Sequence, residues 1–455
     1  MTTRKLPGAL LASVLLLGAC ATTPPGGSVT AAVTSAPFVP DTGSVAVHCG
    51  TLIDGVSDTA RHDVTVLIRA GRIEALQDGR RDDAGLPLLE LGNRTCLPGL
   101  IDMHTHLTDR PTDTADLSIY MRRSDAEAAR RGCENATATL LAGFTGARNV
   151  GTYIGWSDRA LRNQVNLGQC AGPRIQAAGF YLSIPGGGGD LLVPGVAEKD
   201  TPARVRMGVA RGADQFAAKA QLAVDGGADV IKVIASGAVL AYGGVPGDPE
   251  MTPAEIAAVV QVAHAAGRKV AAHAHGAQSI KDAILAGVDT IEHASLIDAE
   301  GIRLAREHDV ALSMDVYNGD YIDTEGRCQH WPEEFLRKNV ETTEIQRQNF
   351  TLAHAAGVAI VFGTDAAVYP HGLNARQFPI MVARGMTPME AIRSASSVAA
   401  HYMGWGERIG RLAPGYFGDL IAVDGDPLQD IARLQRVSTV LKGGLVFKNS
   451  AVSRE

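Results

Sequence analysis

The chain has 455 residues, enough for one large barrel-sized domain and a smaller unit beside it. A content of 45% hydrophobic and 20% charged residues is ordinary for a globular protein, and 5% aromatics with 51 glycines suits a compact α/β chain with many tight strand–helix joints. The net charge of −7 and the absence of a basic stripe argue against nucleic acid as a partner.

Arg4 and Lys5 precede an apolar run from Leu10 to Leu17. The run is too short for a membrane span and has the length of a signal-peptide core. It closes on Leu17-Gly18-Ala19-Cys20, which resembles the lipobox of bacterial lipoproteins. On that resemblance residues 1–19 are a removed leader, and Cys20 becomes the lipidated first residue that anchors the chain to a membrane. An ordinary cleaved leader is the alternative. Ala21, rather than Asp, after the cysteine favours export to the outer membrane, facing the periplasm. Residues 20–43, rich in Thr, Pro, Gly, Ser and Ala, read as a flexible tether. Five cysteines remain: Cys49, Cys96, Cys133, Cys170 and Cys328. An oxidising compartment permits disulfides, and the odd count leaves at least one thiol unpaired or paired with another chain. Cys49–Cys96 and Cys133–Cys170 are one assignment that the sequence does not decide.

From residue 44 to 97, short strand-like runs such as Val45–Cys49, Val64–Ile68 and Ile73–Leu76 alternate with Asp-Gly and Ala-Gly turns. The middle, 98–405, alternates apolar strands with helices. Its strands are read at Gly99–His104, Thr145–Val150, Arg174–Phe180, Val230–Ser236, Val270–His275, Thr290–Ala294, Ala311–Asp315 and Ala359–Asp365. Thr252-Pro253-Ala254-Glu255 and Thr387-Pro388-Met389-Glu390 are capping boxes with proline at the first helical position, and Gly267 closes the first of these helices. Eight strands alternating with helices favour a (β/α)₈ TIM barrel over an open sheet, and no glycine-rich dinucleotide fingerprint follows the first strand. From 406 to 455 the strand style returns, with Gly443-Gly444 breaking the last run into a hairpin. The two ends are expected to build one small β-sandwich flanking the barrel.

Chemistry in such barrels sits at the C-terminal ends of the strands. There the sequence places His104-Thr105-His106, Lys232, His273-Ala274-His275, Glu292-His293 and Asp365. His-x-His on a strand turns both imidazoles to one face, so a single metal can take both. A lysine flanked by Val230, Ile231, Val233 and Ile234 has little room to reach water, so it must be paired or modified. His48, His264, His308 and His354 fall outside the strand ends and read as helix or surface residues. His371 reads as a loop residue after the eighth strand. Pro185-Gly186-Gly187-Gly188-Gly189-Asp190 reads as a mobile lid or entry loop.

Pro98-Gly99-Leu100-Ile101-Asp102-Met103-His104-Thr105-His106 resembles the opening motif of the amidohydrolase superfamily, and the split sheet unit is similar to the dihydroorotase and hydantoinase arrangement. The resemblance runs from about Val45 to Phe447. It implies His104 and His106 on one metal and His273 and His293 on a second. Lys232, carboxylated by carbon dioxide, would bridge the two as a carbamate, and Asp365 would bind the first metal and serve as general base. Zinc suits imidazole and oxygen donors best, with manganese and cobalt left open. One-metal deaminases of the superfamily carry a glutamate shortly after the strand-five histidine; here His273–Gln278 holds no acid. Two divalent metals about 3.5–4 Å apart would then hold a bridging hydroxide for hydrolysis.

Three segments, Gly227–Lys232, Lys269–Gly276 and Gly287–His293, resemble the prolidase-like and imidazolonepropionase-like branch. That branch includes dipeptidases, carboxypeptidases and ochratoxin-hydrolysing enzymes. The resemblance implies a dipeptide or N-acyl amino acid substrate and release of a C-terminal amino acid, with Tyr242 and His275 as candidate substrate contacts. Relatives carry a Gly-Gly-His-Gly-like stretch after strand three, and the histidine is missing here. A lactonase or phosphotriesterase on the same site, or a non-catalytic metal-holding lipoprotein, are the alternatives. Large barrels of this family often associate, which leaves a homo-oligomer open.

Overall fold

The computed structural model describes residues 42–82 and 85–450. The leader, most of the tether and the lipidation candidate Cys20 lie outside the described residues. Four strands come first: β1 (Val45–Leu52), β2 (Arg61–Arg69), β3 (Arg72–Asp78) and β4 (Leu88–Pro98). Eight follow: β5 (Leu100–Thr105), β6 (Phe144–Asn149), β7 (Arg174–Ala177), β8 (Val230–Ile234), β9 (Lys269–Ala274), β10 (Thr290–His293), β11 (Ala311–Ser313) and β12 (Ile360–Val361). Three close the chain: β13 (Leu420–Asp424), β14 (Thr439–Lys442) and β15 (Leu445–Asn449).

The two ends meet as expected, but as one seven-stranded sheet in the order β15-β14-β13-β4-β1-β2-β3, not as a two-sheet sandwich. The reason lies in β4. It pairs with β1 along one edge and with β13 along the other, so the ladder never opens an edge at which a second sheet could separate. Val47, Val66, Leu91 and Leu420 gather in one buried cluster, which a twisted single sheet can enclose. Cys49–Cys96 ties β1 to β4, and Cys133–Cys170 forms in the central domain. Gly443 and Gly444, at φ 54° and 72°, make the expected hairpin between β14 and β15.

Strands β5 to β12 run parallel to their neighbours, with helices between them, and form a barrel-like α/β domain. Their ladders are two sheets, β5-β6-β7 and β8 to β12, where one closed ring was expected. The ring lapses where strands are cut short; β7 stops at Ala177, and Gly179 follows with φ 78°. Hydrogen bonds cross both gaps. Leu182 N donates to Lys232 O and Ile234 N to Leu182 O, each at 2.9 Å, while Met103 N donates to Phe362 O at 2.8 Å.

Strand periodicity sorts the side chains. On β8, Ile231 and Val233 join the helix-facing cluster with Val259 and Ile280, while Val230 packs with Ala178 and Ala271 on the inner side. Lys232 shares that inner side. Each fully buried aliphatic contributes roughly 1.5–3 kcal/mol, so an inward lysine is an expensive exception. Both capping boxes form, at Thr252–Glu255 and Thr387–Glu390, each with proline at the helix start. A buried Arg174–Asp419 pair, with contacts of 2.7 and 2.8 Å, fastens the terminal sheet to β7.

Candidate metal centre

The polar ends of β5, β8, β9 and β10 and the turn after β12 open into one cleft, lined among others by His104, His106, Lys232, His273, His293 and Asp365. Residues far apart in the chain meet because parallel strands all deliver their C-terminal ends to the same side. Asp365 Oδ1 lies 3.4 Å from His104 Nε2 and 3.2 Å from His106 Nε2. Donor atoms of His104, His293 and Asp365 lie within 4.8 Å of one another, and so do those of His273, His275 and His293. His293 belongs to both groups and stands between them. All six expected ligands are brought to one place, and His275 joins them, its ring stacked on His293 at 4.6 Å.

The backbone is bent to aim these groups. Asp365 has φ 56° and His293 φ 70°, in the left-handed region that non-glycine residues rarely enter. Strain of about 1–3 kcal/mol at such a position persists only where surrounding contacts hold it. For Asp365 the holder is Asp102, which is wholly buried. Its carboxylate accepts from Thr364 N, Thr364 Oγ1 and Asn374 Nδ2, fixing the turn after β12 against β5.

A second ring of partners orients the imidazoles. His104 Nδ1 is 2.8 Å from Glu292 Oε2, His293 Nδ1 is 3.1 Å from Asp315 Oδ1, and His106 Nδ1 is 2.9 Å from Gly151 O. Those contacts leave Nε2 of all three rings for the cleft. His273 Nε2 faces Gly237 O at 3.4 Å, which leaves its Nδ1 open. Glu292 is itself held by Arg148 Nη2 at 2.7 Å and Thr290 Oγ1 at 2.6 Å. Gln346 Nε2 donates to Asp315 Oδ1 at 2.8 Å. Glu292, Asp315, Arg148 and Asp102 carry no role in the sequence reading. The one available signal was position: Glu292 precedes His293 in its strand, and Asp315 stands at the end of the seventh.

Lys232 is 2% exposed, and its Nζ has no hydrogen-bond partner among the described residues. Burial pushes its ammonium down to about 8, against the pull of Glu292. Burial, reinforced by the neighbouring His293, holds His273 well below the ordinary imidazole range, and His275 likewise. Both rings are therefore neutral at pH 7, the form that donates a lone pair to a cation. For Asp365, burial favours protonation, but the contacts and charges of His104 and His106 outweigh it and keep the carboxylate ionised.

The lining also has an apolar and aromatic part, with Leu117, Tyr120, Tyr153, Tyr181 and Leu240, and Tyr181 Oη lies 3.2 Å from His106 Nδ1. Tyr242 is not in that lining. Its ring packs on Phe335 at 4.8 Å and lines a separate hollow with Asp190 and Arg206. His371 is buried behind the site, with Nε2 3.3 Å from Asp109 O. His48, read as a surface residue, is buried in β1 between Asp63 and Glu90. The glycine run 185–190, expected as a mobile lid, is pinned. Gly186 N donates to Asp190, Gly188 N to Glu250 and Gly189 N to Ser183 Oγ. Asp190 and Ser183 are local anchors, but Glu250 comes from elsewhere in the chain, which is why composition alone suggested motion.

The Amidohydrolase family model matches residues 95–446. Ochratoxinase of Aspergillus niger is 31% identical over 376 residues, 78% of this chain and 76% of that protein. A solved Xaa-Pro dipeptidase with methionine bound in its active site superposes with TM-score 0.83 at 33% identity, over 90% of this chain and 100% of its own. A prolidase complexed with N-methylphosphonate-L-proline gives TM-score 0.83 at 28% identity, again over 90% of this chain and 100% of its own.

Proposed function

The chain belongs to the amidohydrolase family, in its prolidase- and ochratoxinase-related branch, and from that premise we propose a binuclear metal-dependent hydrolase that cleaves the amide bond of dipeptides or N-acyl amino acids and releases the C-terminal amino acid. The names of its relatives, ochratoxinase and prolidases, support amide hydrolysis. The eight parallel strands, with bonds across both gaps, support reading the central domain as a closed (β/α)₈ barrel.

One observation carries the metal reading: the buried, partnerless Nζ of Lys232 in one cleft with the neutral imidazoles of His273 and His275 and the ionised Asp365. A depressed ammonium gives up its proton readily, and the free amine can take up carbon dioxide, forming an N–C bond and releasing a second proton to solvent, to become an anionic oxygen donor. That converts an unsatisfied cation into a ligand, so the residues fit a pair of divalent cations. His104, His106 and Asp365 would hold one, His273 and His293 the other, with the Lys232 carbamate shared. Zinc suits this donor set. When bound, the cations supply Lewis acidity at the scissile carbonyl and acidify water. Asp365, ionised and aimed by its left-handed backbone, accepts the proton of the attacking water and passes it to the leaving nitrogen. The new C–O bond forms first, and the C–N bond then breaks as the leaving nitrogen takes that proton. His275, open to the cleft, is the substrate contact assigned on this side; Tyr242 lies off the cleft.

The test is metal analysis of the purified protein combined with turnover of a panel of dipeptides, N-acyl amino acids, lactones and phosphotriesters. Two metals per chain and amide turnover lost in Lys232→Ala and Asp365→Asn are expected. Unchanged turnover in either variant overturns the assignment, and lactone or phosphotriester turnover alone replaces it.

We also place the enzyme at the cell envelope, held by a lipid on Cys20, a reading supported by the leader-like N-terminus and by two disulfides suited to an oxidising compartment. Cys20→Ser is expected to release it from the membrane fraction; retention there would refute the anchor.

A further inference from the structure

The glycine run 185–190 lies between two spaces. Gly188 lines the metal cleft, while Gly186 and Asp190 line the separate hollow on the other side. The run is a partition, and its peptide at Gly188 is satisfied on both faces. The N–H donates to both oxygens of Glu250, at 2.8 and 3.1 Å, and the carbonyl accepts from Tyr153 Oη at 3.3 Å. Glu250 comes from the segment after β8, beside the strand that carries Lys232. Its own N–H donates to Ala235 O at 2.9 Å, which fixes its backbone to the end of that strand.

Close packing confirms how tightly the partition is set. A Cβ at Gly187 would meet Glu250 Oε2 at 2.5 Å, and one at Gly188 would meet Ala238 Cβ at 2.9 Å. A side chain at Gly187 would displace the Glu250 carboxylate from its place against this backbone. With its N–H engaged by Glu250 and its C=O accepting from Tyr153, Gly188 offers the cleft no free donor. It is a steric wall beside Ile234 and Ala238, not a polar contact.

We infer that Glu250 is a positioning residue that sets the substrate-binding width of the cleft, by clamping Gly188 against the end of the lysine-bearing strand. The inference rests on the hydrolase reading for its kinetic consequence, but the clamp itself does not depend on it. A carboxylate held by a strand terminus is a rigid anchor, and a wall positioned by it discriminates substrates by shape. Losing the anchor frees the run without touching the metal ligands, so binding suffers before chemistry does.

The experiment pairs amide hydrogen exchange over residues 185–190 with steady-state kinetics, on the full chain, for the wild type, Glu250→Ala and Glu250→Gln. Glu250→Ala is expected to speed exchange in this segment by about tenfold or more. It should also raise KM for the preferred substrate of the panel by about tenfold, with kcat within twofold and metal content unchanged. Glu250→Gln keeps a carbonyl acceptor for Gly188 N and should restore most of both. Exchange and KM unchanged in Glu250→Ala overturn the inference, as does a fall in kcat with KM unaltered. If the wild type turns over no substrate, the hydrolase reading fails, while the exchange data still decide whether the clamp exists. Should Glu250→Ala not fold, Gly188→Ala provides the second probe, expected to raise KM through the overlap with Ala238 and refuting the wall if it does not.

Discussion

The terminal sheet and the floor of the cleft both bury charge, on opposite terms. In the sheet region, charges come with partners. His48 sits between Asp63 and Glu90, Arg94 meets Asp424 at 2.9 Å, and Asp419 takes the Arg174 guanidinium in two contacts. In the cleft, Lys232 has none. A buried charge without a partner is costly, so the unpaired lysine points to the proposed function, whereas the paired charges of the sheet region fasten the architecture.

The contrast breaks most visibly at Lys232. Lys232→Met is expected to lower kcat/KM by a factor on the order of 10³ or more, since on the proposed function it removes a metal ligand. Yet it should leave the metal-free protein as stable as the wild type or more so, because a buried unpaired cation disappears. Calorimetry on chelator-treated protein beside amide turnover reads both, and a clear drop in the apo melting temperature would remove the distinction. Arg174→Met should do the reverse. It strands the Asp419 carboxylate at the sheet–barrel seam and is expected to cost about 3–5 kcal/mol in denaturant unfolding, with per-molecule activity retained while the protein is folded. Glu292→Gln sharpens the middle case. It weakens the hold on His104 Nδ1 without removing a ligand, and metal affinity measured by chelator competition should fall about 10–100-fold. Wild-type affinity would show that the carboxylate serves only Arg148.

The smallest effect belongs to His48. Burial disfavours its charge, but hydrogen bonds to Asp63 and Glu90 outweigh this and raise its pKa above 6.5. The cluster's contribution to stability is therefore complete below pH 6.5 and fades as pH climbs through the raised value. Both carboxylates are half-exposed or more, so salt should weaken the effect. Melting curves for the wild type and His48→Gln that converge as pH rises from 5 to 9 would bear this out; parallel curves would not.

Much of the site was legible because strand geometry makes it so. The His104–His106 spacing, the lysine inside an apolar strand and the acid after the eighth strand each announce themselves within a few residues. The eight strands and both capping boxes were legible for the same local reason. Glu292 and Asp315 were not, because their worth lies in which imidazole another strand delivers to them. Tyr153 and Tyr181 come from loops and Tyr120 from the four-residue helix Ile119–Arg122, segments too short or irregular for a period to indicate direction, so Tyr242 was read into a cleft that it does not line. The single sheet was not legible because β4's pairing with β13 is a matter of register across more than 300 residues. The glycine run was misjudged because Glu250 and Arg206 hold it from outside.

The left-handed backbone at His293 and Asp365 narrows the alphabet of the site. Aspartate, asparagine and histidine enter that conformation several-fold more readily than other side chains, and β-branched residues hardly at all. Lengthening Asp365 to glutamate, or borrowing a threonine, therefore meets resistance from the main chain before coordination chemistry has any say. An engineer who wants a different donor at either position must first redraw the turn that carries it.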